Sequence, residues 1–180
     1  MAQRHIENIA LIGFMGTGKS SVGRMVASHL HFEFVDTDEL IEERAGRTIP
    51  EIFAQAGEAA FRQIEKQVVT ELARAKRTVI SSGGGLAAQA DNLASLKEHA
   101  LVVCLWASPE AIWERVRHQS HRPLLNDPDP LARIRALLVA REPYYRQADV
   151  LVNTEMRSVK EVAHHVLHQF HTACPRPAAP

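Results

Sequence analysis

Gly13-Phe14-Met15-Gly16-Thr17-Gly18-Lys19-Ser20 is the stretch on which the reading of this chain turns. It has the spacing G-x-x-x-x-G-K-[ST]. An apolar run at 9–12 precedes it and an amphipathic pattern at 20–30 follows, so a strand leads in and a helix leads out. Glycine lets such a loop turn its successive N–H groups inward, and the helix N-terminus adds partial positive charge, so the loop cradles phosphate oxygens. Gly16, Thr17, Gly18, Lys19, Ser20 and Ser21 are thereby candidates for holding a nucleotide, with Lys19 reaching the β- and γ-phosphates. Ser20 is placed to offer a hydroxyl to Mg²⁺, a hard cation that takes oxygen ligands.

Outward from the loop, β-rich apolar runs recur at 32–35, 78–81, 101–106 and 150–152, each separated from the next by amphipathic segments. That alternation predicts an α/β fold with a parallel sheet covered on both faces. Thr48 with Glu51, and Ser158 with Glu161, have capping-box spacing, and Ser108-Pro109 reads as an N-cap followed by proline at the first helical position. Gly46 and Gly57 divide the helical stretch 38–75 into three pieces, the last running over 58–75.

Composition narrows the function classes. The chain has 180 residues, 46% of them hydrophobic, with 21 Lys plus Arg against 21 Asp plus Glu. A domain of this size buries roughly 70% of the surface its unfolded chain exposes, and balanced charge supplies no basic field for nucleic acid or anionic lipid. The longest apolar run, 100–107, falls far short of the ~20 residues of a membrane span, and the polar start at 1–8 lacks a secretory core. A cytoplasmic monomer acting on small molecules, with neither nucleic-acid nor membrane partners, is expected. Two cysteines, Cys104 and Cys174, support neither a disulfide framework nor a metal site.

Asp36-Thr37-Asp38 follows the second apolar run, at the strand end where open α/β sheets put their ligands. Asp36 suits a metal ion, directly or through water, and Asp38 suits an acceptor hydroxyl as orienting group or base; either could instead cap a helix beginning at Glu39. Three arginines, Arg62, Arg122 and Arg141, are candidates for gripping an anion through the planar guanidinium fork. Arg62 could equally pair with Glu65 one helical turn away. Gly83-Gly84-Gly85 follows the third run, where bare backbone can approach a ligand closely.

Taken together, the phosphate loop, Asp36-Thr37-Asp38, Phe61-Arg62, the triple glycine, Arg122-Pro123-Leu124-Leu125 and Arg141 occur in an order and spacing that closely resemble shikimate kinase, from residue 8 to about 170. The resemblance implies a P-loop, nucleoside-monophosphate-kinase-like fold: three layers, α/β/α, around a five-stranded parallel sheet. It implies Mg²⁺-dependent transfer of the γ-phosphoryl of the co-substrate ATP to the 3-hydroxyl of shikimate, a step of aromatic amino-acid biosynthesis. Lys19, Asp38 and Arg122 would be catalytic, and Ser20 and Asp36 would serve the metal. Asp38, Arg62, Gly84 and Arg141 would bind shikimate, while Arg122 and Arg157 would contact ATP. Ser21 stands where the family often has threonine.

Residues 1–171 are expected to form one kinase domain with a mobile lid at 118–130, and 172–180 a disordered tail. A gluconate or nucleotide kinase of the same fold, or a nucleotide-dependent switch without transfer activity, are the rival readings. His164 and His168, four residues apart, are expected to be solvated.

Overall fold

The computed structural model describes residues 4–118 and 127–174. The elements in order are β1 (Asn8–Ile12), α1 (Lys19–Leu30), β2 (Glu33–Asp36), α2 (Thr37–Ala45), α3 (Ile49–Leu72) and β3 (Thr78–Ser81). A single 3-10 turn at Leu86–Ala88 leads to α4 (Ala90–His99), β4 (Ala100–Trp106), α5 (Pro109–Val116), α6 (Pro130–Tyr145), β5 (Val150–Asn153) and α7 (Val159–Ala173). The strands pair in parallel in the order β2-β3-β1-β4-β5, the expected five-stranded α/β architecture.

Strand alternation sorts the apolar side chains into two layers. Ile9, Leu11, Val79 and Val103 pack with Val22 and Val26 of α1 and Val162 and Val166 of α7. Ala10, Ile12, Ile80 and Val102 pack with Ile41 of α2, Val68 of α3, Leu93 of α4 and Tyr145 of α6. Because both faces of the sheet are covered, β1 and β4 read as unbroken apolar runs rather than as alternating ones. Burial pushes the Cys104 thiol up to about 12, so this cysteine acts as a small core side chain.

The helix signals behave as their chemistry requires. Thr48 and Glu51 form a reciprocal capping box, as do Ser158 and Glu161, and Ser108 Oγ accepts the Ala111 amide at 3.3 Å. Gly46 closes α2 in the left-handed region, and Gly57, at φ 77° and ψ 175°, interrupts α3, giving the three pieces expected. Some boundaries differ. The last piece of α3 ends at Leu72 rather than 75, and β2 runs to Asp36, so α2 begins at Thr37 instead of 39. α7 extends to Ala173, past the expected boundary at 171, because its apolar stripe continues to Phe170 and packs on Phe32. Within the expected lid, 119–126 lie outside the described residues, as do 175–180 of the expected tail; Asp129 caps α6 by accepting the Ala132 amide at 3.0 Å.

The N-terminal segment is tied to the start of β5 by charge. Arg4 donates to both oxygens of Asp149, at 2.7 and 2.9 Å, and Asp149 also accepts the Val102 amide at 2.8 Å. Burial alone would raise the Asp149 pKa, but the hydrogen bonds from Arg4 and Val102 outweigh it and hold the carboxyl below the usual range. A carboxylate with a depressed folded pKa contributes stability that is complete above its unfolded value, about 3.9, and is lost as pH falls through the folded value. Asp149→Ala is expected to cost about 2 kcal/mol at pH 7, discounted for the partial exposure of the pair. In urea titrations the difference from the wild type should hold from pH 7 to about 5 and shrink below about pH 4.

Candidate active site

The phosphate loop is built where β1 leaves the sheet. Gly13, Gly16 and Gly18 have φ of 133°, 75° and 91°. Gly13 has a second reason to be glycine, since a Cβ there would stand 2.1 Å from the Leu105 carbonyl oxygen of β4. Inside the loop the Phe14 carbonyl accepts from Thr17 Oγ1 and from Lys19 Nζ, both at 2.8 Å. Thr17 and Lys19 are buried, and Phe14 anchors the loop in a pocket with Ile112, Val116 and Ile134. Thr17 thus braces the loop, and Lys19 lies folded along it.

Asp36 resolves into two roles at once. Its Oδ1 accepts the Asp38 amide at 3.1 Å, capping α2, and its Oδ2 accepts from Ser20 Oγ at 2.8 Å. Ser81, registered opposite Asp36 across the β2–β3 ladder, brings its Oγ within 3.3 Å of the same serine hydroxyl. Ser20 and Asp36 are hard oxygen donors at the end of a phosphate loop, and that donor set fits Mg²⁺ completed by phosphate and water. With Asp36 as the cap, Asp38 is left in the first turn of α2, where it lines the cavity.

That cavity, of about 340 Å³, joins the loop to the ends of β2 and β3. Gly16, Gly18, Lys19, Ser20 and Ser21 form one wall, and Asp38, Ser82 and Gly84 form the other. The triple glycine is held by its neighbours on all sides. The Gly83 amide donates to Thr37 Oγ1 at 2.8 Å, and a Cβ on Gly83 would stand 2.2 Å from Asp38 Oδ1, so only glycine leaves room for that carboxylate. The Gly84 carbonyl accepts from Arg141 Nη1 and from Tyr145 Oη, both at 2.9 Å.

Arg62 and Arg141 come from different helices, α3 and α6, and converge on Gly85. A Cβ there would lie 3.3 Å from both Arg62 Nη atoms and 3.7 Å from Arg141 Nη2. Arg62 donates to Glu65 at 2.9 Å and to Glu58 at 3.1 Å, while Arg141 lies over the Phe14 ring at 5.3 Å. Burial, with the nearby Glu58 charge adding to it, raises the Glu65 carboxyl above its ordinary range despite the opposing pull of Arg62 and Arg141. Glu65 also accepts from Asn92 at 3.4 Å, so Arg62 is held by a buried acidic partner as well as reaching the site. Burial pushes Tyr145 up to about 12, which keeps its hydroxyl a donor to Gly84.

Three participants carried no signal in the sequence reading. Thr37 fixes the Gly83 amide, a role that its place between two aspartates does not signal. Tyr145 reaches the glycine loop because α6 packs beside the 3-10 turn that follows it. Arg115 of α5 lines the cavity and donates to the Gly16 carbonyl at 3.3 Å and the Thr154 carbonyl at 2.7 Å. Arg62 and Arg141 stand at Gly85 beside the cavity rather than in its lining, and Arg157, exposed on the turn after β5, is not among the lining residues either. Arg122 lies outside the described residues.

A larger hollow, about 670 Å³, opens beside β5 and is lined by Trp106, Leu138, Val139 and Leu151. The arginines on its rim, Arg135 and Arg146, are paired with Glu110 and Glu142, and of the groups described above Cys104, Ser108 and Tyr145 border it, Tyr145 with its hydroxyl bonded to Gly84. His164 and His168 are exposed on α7, and no group of three or more His, Cys, Asp or Glu among the described residues is arranged to hold a metal ion. Among those residues, too, no helix is long and apolar enough to cross a membrane.

Known proteins resemble this chain over nearly its whole length. A family model described as shikimate kinase matches residues 15–171. A shikimate kinase of Caldanaerobacter subterraneus is 43% identical over 165 residues, 92% of this chain and 96% of that one. One of Thermus thermophilus is 46% identical over 163 residues, 90% of this chain and 89% of that one. The structure of shikimate kinase from Acinetobacter baumannii in complex with shikimate superposes with a TM-score of 0.89 at 37% identity, covering 97% of this chain and 98% of that one. A gluconokinase from Sinorhizobium meliloti reaches a TM-score of 0.63 at 18% identity over 94% of each chain, a likeness of fold alone. Family model, relatives and superposition agree with one another, and the chain belongs to the shikimate kinase family.

Proposed function

We infer that the cavity binds ATP along the phosphate loop and shikimate between Asp38, Arg62, Gly84 and Arg141, and that the γ-phosphoryl passes to the shikimate 3-hydroxyl. The observation carrying this reading is the meeting of two guanidinium groups at Gly85 with the Asp38 carboxylate packed on Gly83, beside a loop containing Lys19. Two cationic forks and one anion at the edge of a phosphate cradle match a small acceptor bearing a carboxylate and hydroxyls.

Phosphoryl transfer depends on positioning and on neutralising charge more than on covalent help from the protein. Lys19 exchanges the Phe14 carbonyl for phosphate oxygens, and the loop amides, with Gly16, Thr17, Gly18 and Ser21, hold the remaining nucleotide oxygens. Asp38 orients the acceptor hydroxyl and accepts its proton as the bond to phosphorus forms. Arg62 and Arg141 grip the carboxylate, with Glu65 fixing the Arg62 fork. Arg115 is a further cation on the nucleotide side, and Arg122 and Arg157 keep the ATP-contacting roles that the family resemblance assigns them. Mg²⁺, when bound through Ser20 with Asp36 behind it, supplies charge neutralisation to the phosphates. The reading includes a monomer, and dependence on ATP supports the cytoplasm as the site of action.

The direct test is ADP release and phosphorylated product measured against a panel of shikimate, gluconate and nucleoside monophosphates. Shikimate should be turned over at least a hundredfold more efficiently than the others; equal rates would overturn the acceptor assignment. Asp38→Asn should lower kcat by about 10²–10⁴ with the ATP dissociation constant little changed, and Lys19→Ala should lower kcat/KM by at least about 10². Arg62→Lys and Arg141→Lys should each raise the shikimate KM by about tenfold or more, because lysine cannot reproduce a two-point grip. Steady-state kinetics at saturating ATP reads these effects separately.

A further inference from the structure

Two buried side-chain atoms among the described residues have no hydrogen-bond partner, His99 Nε2 and Ser82 Oγ. The second lies in the wall of the site. Ser82 is 2% exposed and lines the phosphate cavity, and its amide donates to the Leu11 carbonyl at 3.0 Å. A buried hydroxyl without a partner is costly, so a native structure that keeps one invites a search for what it bonds in the working state.

The strand register indicates which ligand Ser82 faces. Side chains alternate along β3: Val79 packs with the α1–α7 layer and Ile80 with the α2–α3–α4–α6 layer. Ser81 returns to the α1 side, where its hydroxyl meets Ser20 at the nucleotide end. The Ser82 amide continues the parallel ladder onto β1, so Ser82 follows the same alternation and falls on the Ile80 side, the layer that carries Arg62 and Arg141. Its immediate successors are Gly83, which packs on the Asp38 carboxylate, and Gly84, whose carbonyl is bonded by Arg141 and Tyr145.

We propose that Ser82 is a substrate-binding residue of the acceptor site, its Oγ hydrogen-bonding a hydroxyl of the polyhydroxylated acid. The inference rests on the acceptor assignment made above and adds to it a side-chain contact from the floor. It also divides adjacent serines by partner: Ser81 serves the nucleotide side, and Ser82 the acceptor.

The test is Ser82→Ala together with the near-isosteric Ser82→Cys, each assayed for the KM of shikimate and of ATP and for thermal stability without ligand. Because Ser82 Oγ makes no hydrogen bond among the described residues, the unliganded alanine variant should melt at or above the wild-type temperature. The shikimate KM should rise about threefold to tenfold, the effect of one neutral hydrogen bond, with the ATP KM within twofold of wild type. Acceptor analogues each lacking one hydroxyl supply a readout that mere packing would not move. The wild type should discriminate against one of them, and Ser82→Ala should lose that discrimination.

An unchanged shikimate KM, a rise confined to the ATP KM, or equal discrimination by wild type and variant would each overturn the proposal. If the alanine variant fails to fold, the cysteine variant decides by the same measurements, since a thiol is a weak donor in the same space. Failure of the wild type itself to phosphorylate shikimate would instead overturn the acceptor assignment, which keeps the two results distinct.

Discussion

β1 is hydrogen-bonded on both edges and covered on both faces, and the site follows from that placement. A strand so enclosed cannot shift register without turning its apolar set toward the wrong layer. Its end is therefore a fixed point, and at that point Gly13 lies too close to the Leu105 carbonyl for any side chain. The phosphate loop inherits its position from this contact between neighbouring strands. Parallel pairing then brings the ends of β2 and β3 to the same edge, so Asp36, Ser81 and the triple glycine face the loop without any long excursion of chain.

On that frame the acceptor end is a problem of charge at close quarters. Two arginines and an aspartate crowd three consecutive glycines, and the absence of Cβ atoms makes the approach possible. Glu65 balances Arg62 from beneath, and the persistence of a raised carboxyl pKa there reflects how strongly burial opposes the ion even beside a guanidinium. Arg141 is fixed differently, by a carbonyl and the face of Phe14. The two forks thus reach one place from separate helices by unrelated means of support.

Much of this was legible in the order of residues. The phosphate loop could be read because its chemistry is local: backbone turns and a helix end are specified within a few residues. The capping boxes at Thr48 and Ser158 and the break at Gly57 were legible for the same reason. Asp36 and Asp38 were harder, since either could have capped the next helix, and the extension of β2 by one residue decides that Asp36 does so. Thr37, Arg115, Tyr145 and Ser82 left no mark in the sequence, because their partners lie from 39 to 99 positions away or, for the Ser82 hydroxyl, are not found among the described residues.

By itself, then, the sequence determined the class of fold, the nucleotide cradle and the family resemblance, all of which depend on spacing along the chain. Only the tertiary structure decided which arginines meet, that Glu65 is buried beneath one of them, and which of two neighbouring serines turns toward each half of the cavity. The reason is the strand geometry. Alternate residues face opposite layers, and what each layer contains is set by the sheet order β2-β3-β1-β4-β5, which brings together segments far apart in the chain.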